Sequence, residues 1–129
     1  MTEFIEKVKR ADADYKMFGR AAVCAALSGG ADSVSLLIAL KELSAGCGFA
    51  LSACHLNHGL RGEESDCDQR FCEELCFRLG VPLNSRKTVV SEFAEKHESL
   101  EETARRIRYD FFREALNALG GNAVLATAH

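Results

Sequence analysis

Apolar positions along this chain switch repeatedly between the spacing of a helix and the continuous run of a buried strand. Phe4, Ile5, Val8, Ala11, Tyr15 and Phe18 recur at helical spacing and predict an amphipathic opening helix that ends at Gly19. "AAVCAAL", residues 21–27, is short and wholly apolar, as suits a strand covered on both faces of a parallel sheet, although its alanines favour helix. After a glycine turn, Val34 to Leu43 reads as a helix with Gly46 and Gly48 at its exit. "FALSACHL" from Phe49 predicts a second strand and "NHGLRGEES" a polar loop. A helix from about Glu64 to Leu79 then stops at Gly80, with Pro82 behind it. "LNSRKTVV" is polar enough for a third strand at a sheet edge. Ser99 and Glu102 form a capping box at the start of a long helix, whose expected buried stripe is Leu100, Ala104, Ile107, Phe111, Ala115 and Leu119. Two glycines end that helix, and "NAVLATAH" predicts a fourth strand.

Alternating strands and helices place the chain in the α/β class, with a parallel sheet and right-handed crossovers. The 129 residues suffice for one domain with its own apolar core. A last strand with no helix after it leads us to expect a domain truncated at its C-terminus, or one completed by a partner.

Charge and cysteine content narrow the possibilities. A net charge of -3 argues against a surface that is basic overall, so nucleic acid would have to meet a local patch. No apolar run reaches membrane-spanning length, and "MTEFIEKVKRADAD" lacks the apolar centre of a signal peptide, so a cytoplasmic location and no membrane partner are expected. Six cysteines are many for this length, but none forms a CxxC pair. Cys24 and Cys54 lie in apolar strands, and Cys72 and Cys76 fall on a helical stripe with Phe71, Leu75 and Leu79. Core packing is therefore expected, rather than a disulfide framework, zinc site or cluster.

The candidate chemistry lies in "LSGGADSVSLL", Leu27 to Leu37. A turn between a buried strand and a helix offers unpaired backbone N–H groups and the positive end of the helix dipole to an anion. Gly29 and Gly30 would let the backbone approach phosphate oxygens, and the Ser28 and Ser33 hydroxyls would add donors. Neither GxxxxGK[ST] nor GxGxxG is present. Asp32 stands in this anion pocket either as a helix N-cap or as a group facing a magnesium-bound pyrophosphate.

"SGGADS" resembles the SGGxDS signature of the PP-loop ATP pyrophosphatases, which cleave ATP between its α and β phosphates and leave AMP on a substrate oxygen. Within that superfamily, "HLNHGLRGEES", "SLEETARRIRYDFF" and the terminal "ATAH" are similar to motifs of the tRNA(Ile)-lysidine synthetases, in the same order and at the same spacing. The resemblance runs from Val23 onward. It implies an adenine nucleotide alpha hydrolase-like sheet of order 3-2-1-4 with helices on both faces, the family's fifth strand being missing. It also implies ATP and Mg2+ as cofactors, and tRNA(Ile) and lysine as partners, with the tRNA held through regions mostly absent here; a homodimer is left open. The ATP-binding set it implies is Ser28, Gly29, Gly30, Ala31, Asp32, Ser33, His55, Asn57 and Arg61, with Asp32 facing the metal. The catalytic set it implies is Asp32, His58, Arg105, Arg108 and His129.

From residues alone, His55 and His58 are as consistent with structural or surface roles as with the nucleotide site. The arginines of the long helix read first as a charged face supported by Glu101–Arg105 and Glu102–Arg106 pairs. Two rival functions stay open: a tRNA thiolase of the same superfamily, and an ATP-binding fragment without catalysis.

Overall fold

The computed structural model describes residues 22–120 and 123–128; the opening helix expected over residues 4–18, the first glycine stop and His129 lie outside them. Four strands form one parallel sheet in the order β3-β2-β1-β4, comprising β1 (Ala22–Ala26), β2 (Ala50–Asn57), β3 (Leu83–Lys87) and β4 (Val124–Ala126). Three α-helices join them: α1 (Ala31–Cys47), α2 (Glu63–Leu79) and α3 (Leu100–Leu119). The expected strand order is the observed one.

Period-two alternation in the strands divides the core. Val23, Ala25 and Ala53 point to one face and pack with Leu36, Leu37, Leu40 and Leu43 of α1 and with Cys72 and Cys76 of α2. Cys24 and Cys54 point to the other and pack with Phe111 and Ala115 of α3. Helices therefore cover both faces, and β1, in the middle of the sheet, is buried on both sides, which overrides the helix preference of its alanines.

The helix ends follow backbone chemistry. Gly80 takes a left-handed φ of 69° and returns its N–H to the carbonyls of Cys76 and Phe77, which stops α2 where expected. Ser99 caps α3 by accepting the Glu102 N–H at 3.1 Å. A bond from the Thr103 hydroxyl to the Ser99 carbonyl at 2.9 Å tightens the same turn.

Several expectations are corrected. Helix α1 starts at Ala31 rather than Val34 and runs through Gly46. Strand β3 ends at Lys87, and Val90–Phe93 form a 3₁₀ turn with Val90 buried, so "TVV" does not extend the edge strand. The buried stripe of α3 is centred on Thr103, Phe111 and Ala115, while Leu100 and Leu119 are exposed. Phe71 is exposed too, so on α2 the stripe is carried by Cys72 and Cys76, with Leu75 and Leu79 partly buried. All six cysteines are free, four of them buried.

Candidate functional site

A cleft of about 640 Å³ opens over the carboxyl ends of β1 and β4 on the α3 face of the sheet. The chain leaves β1 toward β2 on one side and reaches β4 on the other, so this is the switch point where open parallel sheets gather ligands. Its floor and one wall are apolar, formed by Ala26, Leu56, Phe112 and Leu125, with Arg108 and Tyr109 of α3 across from the Ser28–Ser33 turn.

The turn is internally tied. The Ser33 hydroxyl accepts the Ser28 N–H at 3.1 Å and donates to the Gly30 carbonyl at 3.1 Å. Its proton is thereby used, so Ser28, whose Oγ accepts the Gly30 N–H at 3.2 Å, donates its own hydroxyl proton to Ser33 Oγ at 3.1 Å. The first bond of α1 runs from Val34 N–H to the Gly30 carbonyl. The N–H groups of Ala31, Asp32 and Ser33 precede that bond and have no acceptor within the helix; all three residues line the cleft.

Asp32 is not the cap. Gly30 occupies the N-cap position without a side-chain bond, and Asp32 stands exposed in the first turn at the cleft. A carboxylate there is favoured by the helix dipole yet faces the place an anion would occupy. Among the described residues no group of three or more His, Cys, Asp or Glu side chains could enclose a metal ion. A single carboxylate beside a phosphate cradle nevertheless fits Mg2+, which is commonly held by one or two carboxylates together with substrate phosphates.

Alternation along β2 separates the other expected residues. Leu56 faces the cleft; His55 and Asn57 face α2, are buried, and do not line it, which corrects their expected place beside the nucleotide. Asn57 donates to Asp66 at 2.8 Å and to Gln69 at 2.9 Å, and accepts the Gly59 N–H at 3.0 Å. Lys87 also binds Asp66 at 2.9 Å, and the Lys87 and Asn57 contacts hold that carboxyl below its ordinary range. Asn57 is thus the anchor of the β2–α2 loop.

His58 follows the strand and is half-buried, its Nδ1 accepting the Leu60 N–H at 3.0 Å. Burial, then the nearby charge of Arg61, pushes its pKa down, favouring a neutral ring. Arg61 does not line the cleft; it pairs with Asp68 at 2.8 Å and Glu64 at 3.8 Å. Arg108 lines the cleft, whereas Arg105 is exposed outside its lining. Instead of the expected pairs within α3, Arg106 binds Glu98 at 3.0 Å and the Phe93 carbonyl at 2.9 Å, and Arg113 lies 3.7 Å from Asp110. Arg106, the adjacent Glu95 N–H and Thr103 hold the Glu98 carboxyl down at about 2.

Sequence reasoning missed three residues here. Asp68 of α2 packs against the turn from below, so that a methyl group on Gly29 would lie 3.1 Å from its Cγ. No local pattern links two positions so far apart in the chain. Tyr109 and Phe112 line the cleft, one helical turn after Arg105 and Arg108 respectively, a proximity that helical spacing could have exposed. Cysteine chemistry does not enter the site: burial pushes Cys72 up to about 12 and Cys76 up to about 11, leaving both as inert thiols at neutral pH.

The chain's similarities agree with this geometry. A relative named tRNA(Ile)-lysidine synthase from Petrotoga mobilis is 38% identical over 131 residues, covering 100% of this chain and 42% of the relative. Proteins of the same name from Dehalococcoides mccartyi and Geobacter sulfurreducens are 48% identical over 105 residues and 40% identical over 130. They are covered to 22% and 27% of their lengths by 81% and 97% of this chain. The chain thus spans less than half the length of these curated relatives. A family profile described as the PP-loop domain matches residues 1–129, and with the cradle at the end of β1 in place, the chain belongs to the PP-loop domain family.

Proposed function

We propose that this chain is the ATP-binding domain of a tRNA(Ile)-lysidine synthase, holding ATP with its phosphates at the start of α1 and its base against the apolar wall. The observation that carries the reading is the row of unpartnered N–H groups at Ala31, Asp32 and Ser33, opening into a cleft at the sheet's switch point. Relatives matching 97–100% of the chain carry that enzyme name, which supplies the substrate class.

In this reading the turn holds the β and γ phosphates, and its donors stabilise the charge that grows on pyrophosphate as the C2 oxygen of the wobble cytidine attacks the α phosphorus. Bound Mg2+ would supply charge neutralisation between the phosphates and Asp32. Arg108, across the cleft, meets phosphate oxygens of nucleotide or RNA. Apolar Leu56, Phe112 and Leu125 exclude water from one side of the reacting group. The lysine amine then displaces AMP from the activated base, and a proton leaves the nitrogen as the new C–N bond forms.

ATP titration of the native chain and of Asp32→Ala, with and without magnesium, tests the grip: a loss of affinity in the variant that appears only when magnesium is present supports it, and equal affinities throughout refute it. Joined to the remainder of its enzyme, the domain should form AMP only when tRNA and lysine are both present.

A further inference from the structure

Leu27 is the last residue held by the sheet before the turn. Its N–H donates to the Cys54 carbonyl at 2.8 Å, continuing the ladder, and its own carbonyl is the final acceptor before Ser28. His55 Nδ1 lies 2.7 Å from that carbonyl oxygen. A backbone carbonyl only accepts, so Nδ1 carries the proton. The ring is 4% exposed, with Cys72 Sγ 3.7 Å from Nδ1, and its other nitrogen, Nε2, is buried with no hydrogen-bond partner among the described residues. Leaving a buried ring nitrogen unpaired is a cost that an apolar side chain of similar size would avoid. The bond to Leu27 is what histidine provides here in exchange.

We infer that His55 is a positioning residue of the phosphate turn: from the face of the sheet turned away from the cleft, its Nδ1–H fixes the Leu27 carbonyl and hence the angle at which Ser28–Ser33 leaves β1. This rests on the reading that the turn grips ATP. His55 acts together with Asp68, which fills the space beneath Gly29 from the same helix that supplies Cys72. The turn is therefore set from behind while its N–H groups stay open in front.

An amide pair of variants separates positioning from mere filling of space. The asparagine side-chain N–H occupies the place of Nδ1–H, whereas that of glutamine reaches toward Nε2. His55→Asn should keep ATP affinity within about twofold, and His55→Gln should lose about tenfold, the upper end of what one hydrogen bond carries. The amide resonances of Gly29, Gly30 and Ala31 in the ligand-free chain should stay near their native positions in the first variant and move in the second. The native chain gives a readout that needs no variant: ring nitrogen resonances should show the proton on Nδ1, coupled through the hydrogen bond to the Leu27 carbonyl carbon. A proton on Nε2, or Asn and Gln variants that bind ATP equally and leave the turn's amides alike, overturns the inference. A native chain that fails to bind ATP, with the proton on Nδ1 and the amides moving only in His55→Gln, overturns the functional reading instead.

Discussion

Gly29 is the position where backbone and packing together set the cost of a single methyl group. Its φ is 90°, inside the region that L-residues avoid, and an added Cβ would stand 3.1 Å from Asp68 Cγ and 3.2 Å from Asp68 Cβ and Oδ1. Holding a non-glycine residue in such a conformation costs about 1–3 kcal/mol, and the contact with Asp68 adds to it. With a urea slope of about 2 kcal/mol/M for a chain of this size, Gly29→Ala should unfold at a midpoint about 0.5–1.5 M below native. Gly30→Ala is the internal control. Gly30 has φ -81° and ψ 162°, ordinary extended backbone, and its Cβ would meet only the Ser28 hydroxyl at 3.4 Å. That variant should keep its unfolding free energy within about 0.5 kcal/mol of native yet bind ATP more weakly, since Gly30 lines the cleft. Asp68→Ala in the Gly29→Ala background removes Cγ and Oδ1 but keeps Cβ, so it should recover part of the packing loss and none of the backbone part. Parallel urea and ATP titrations read both quantities. Equal midpoints for native and Gly29→Ala would refute the strain reasoning, and equal ATP affinities for native and Gly30→Ala would refute the cradle.

Further outcomes follow from other parts of the molecule. Phe111→Ala empties the centre of the α3 face, where the ring is 1% exposed and lies beneath the Arg86 guanidinium, and should cost about 3–5 kcal/mol in chemical denaturation. Ser99→Ala removes the cap of α3 and should cost about 1 kcal/mol, with faster amide exchange confined to the first turn. Arg108→Ala should weaken ATP binding, while Arg105→Ala, outside the cleft lining, should not; isothermal titration distinguishes them. Because the Glu98 carboxyl is held at about 2, below its unfolded value, its contribution is complete above the unfolded pKa and is lost as pH falls toward 2. The difference in melting temperature between native and Glu98→Gln should therefore be largest near neutral pH and shrink from about pH 4 downward, where unfolded glutamate gains its proton.

Much of the fold could be read from local patterns because local chemistry sets it. Ser99 with Glu102, and Gly80 with Pro82, name the ends of two helices through backbone bonds that few other residues satisfy. The Ser28–Ser33 turn was legible for the same reason. What failed was side-chain direction and reach. In "SACHLNH" the alternation that sends Cys54 and Leu56 to one face sends His55 and Asn57 to the other, so the signal was present, although resemblance placed His55 and Asn57 at the nucleotide. Arg106 found Glu98 across the helix start instead of Glu102 on its own face, a choice made by the 3₁₀ turn that brings Phe93 close. Asp68 and Gly29 meet only because α2 packs on β2, the neighbour of β1, which no short pattern records.

The serine pair of the turn has a thermodynamic consequence. Ser33 joins Ser28 to Gly30 through bonds internal to the chain, so in the ATP-binding reading the nucleotide would meet a receptor whose shape is set by folding. Little ordering entropy is then charged to association, and free and occupied forms should superimpose closely along Ser28–Ser33. Affinity in such a receptor is tuned by charge and fit, so it should weaken as ionic strength rises.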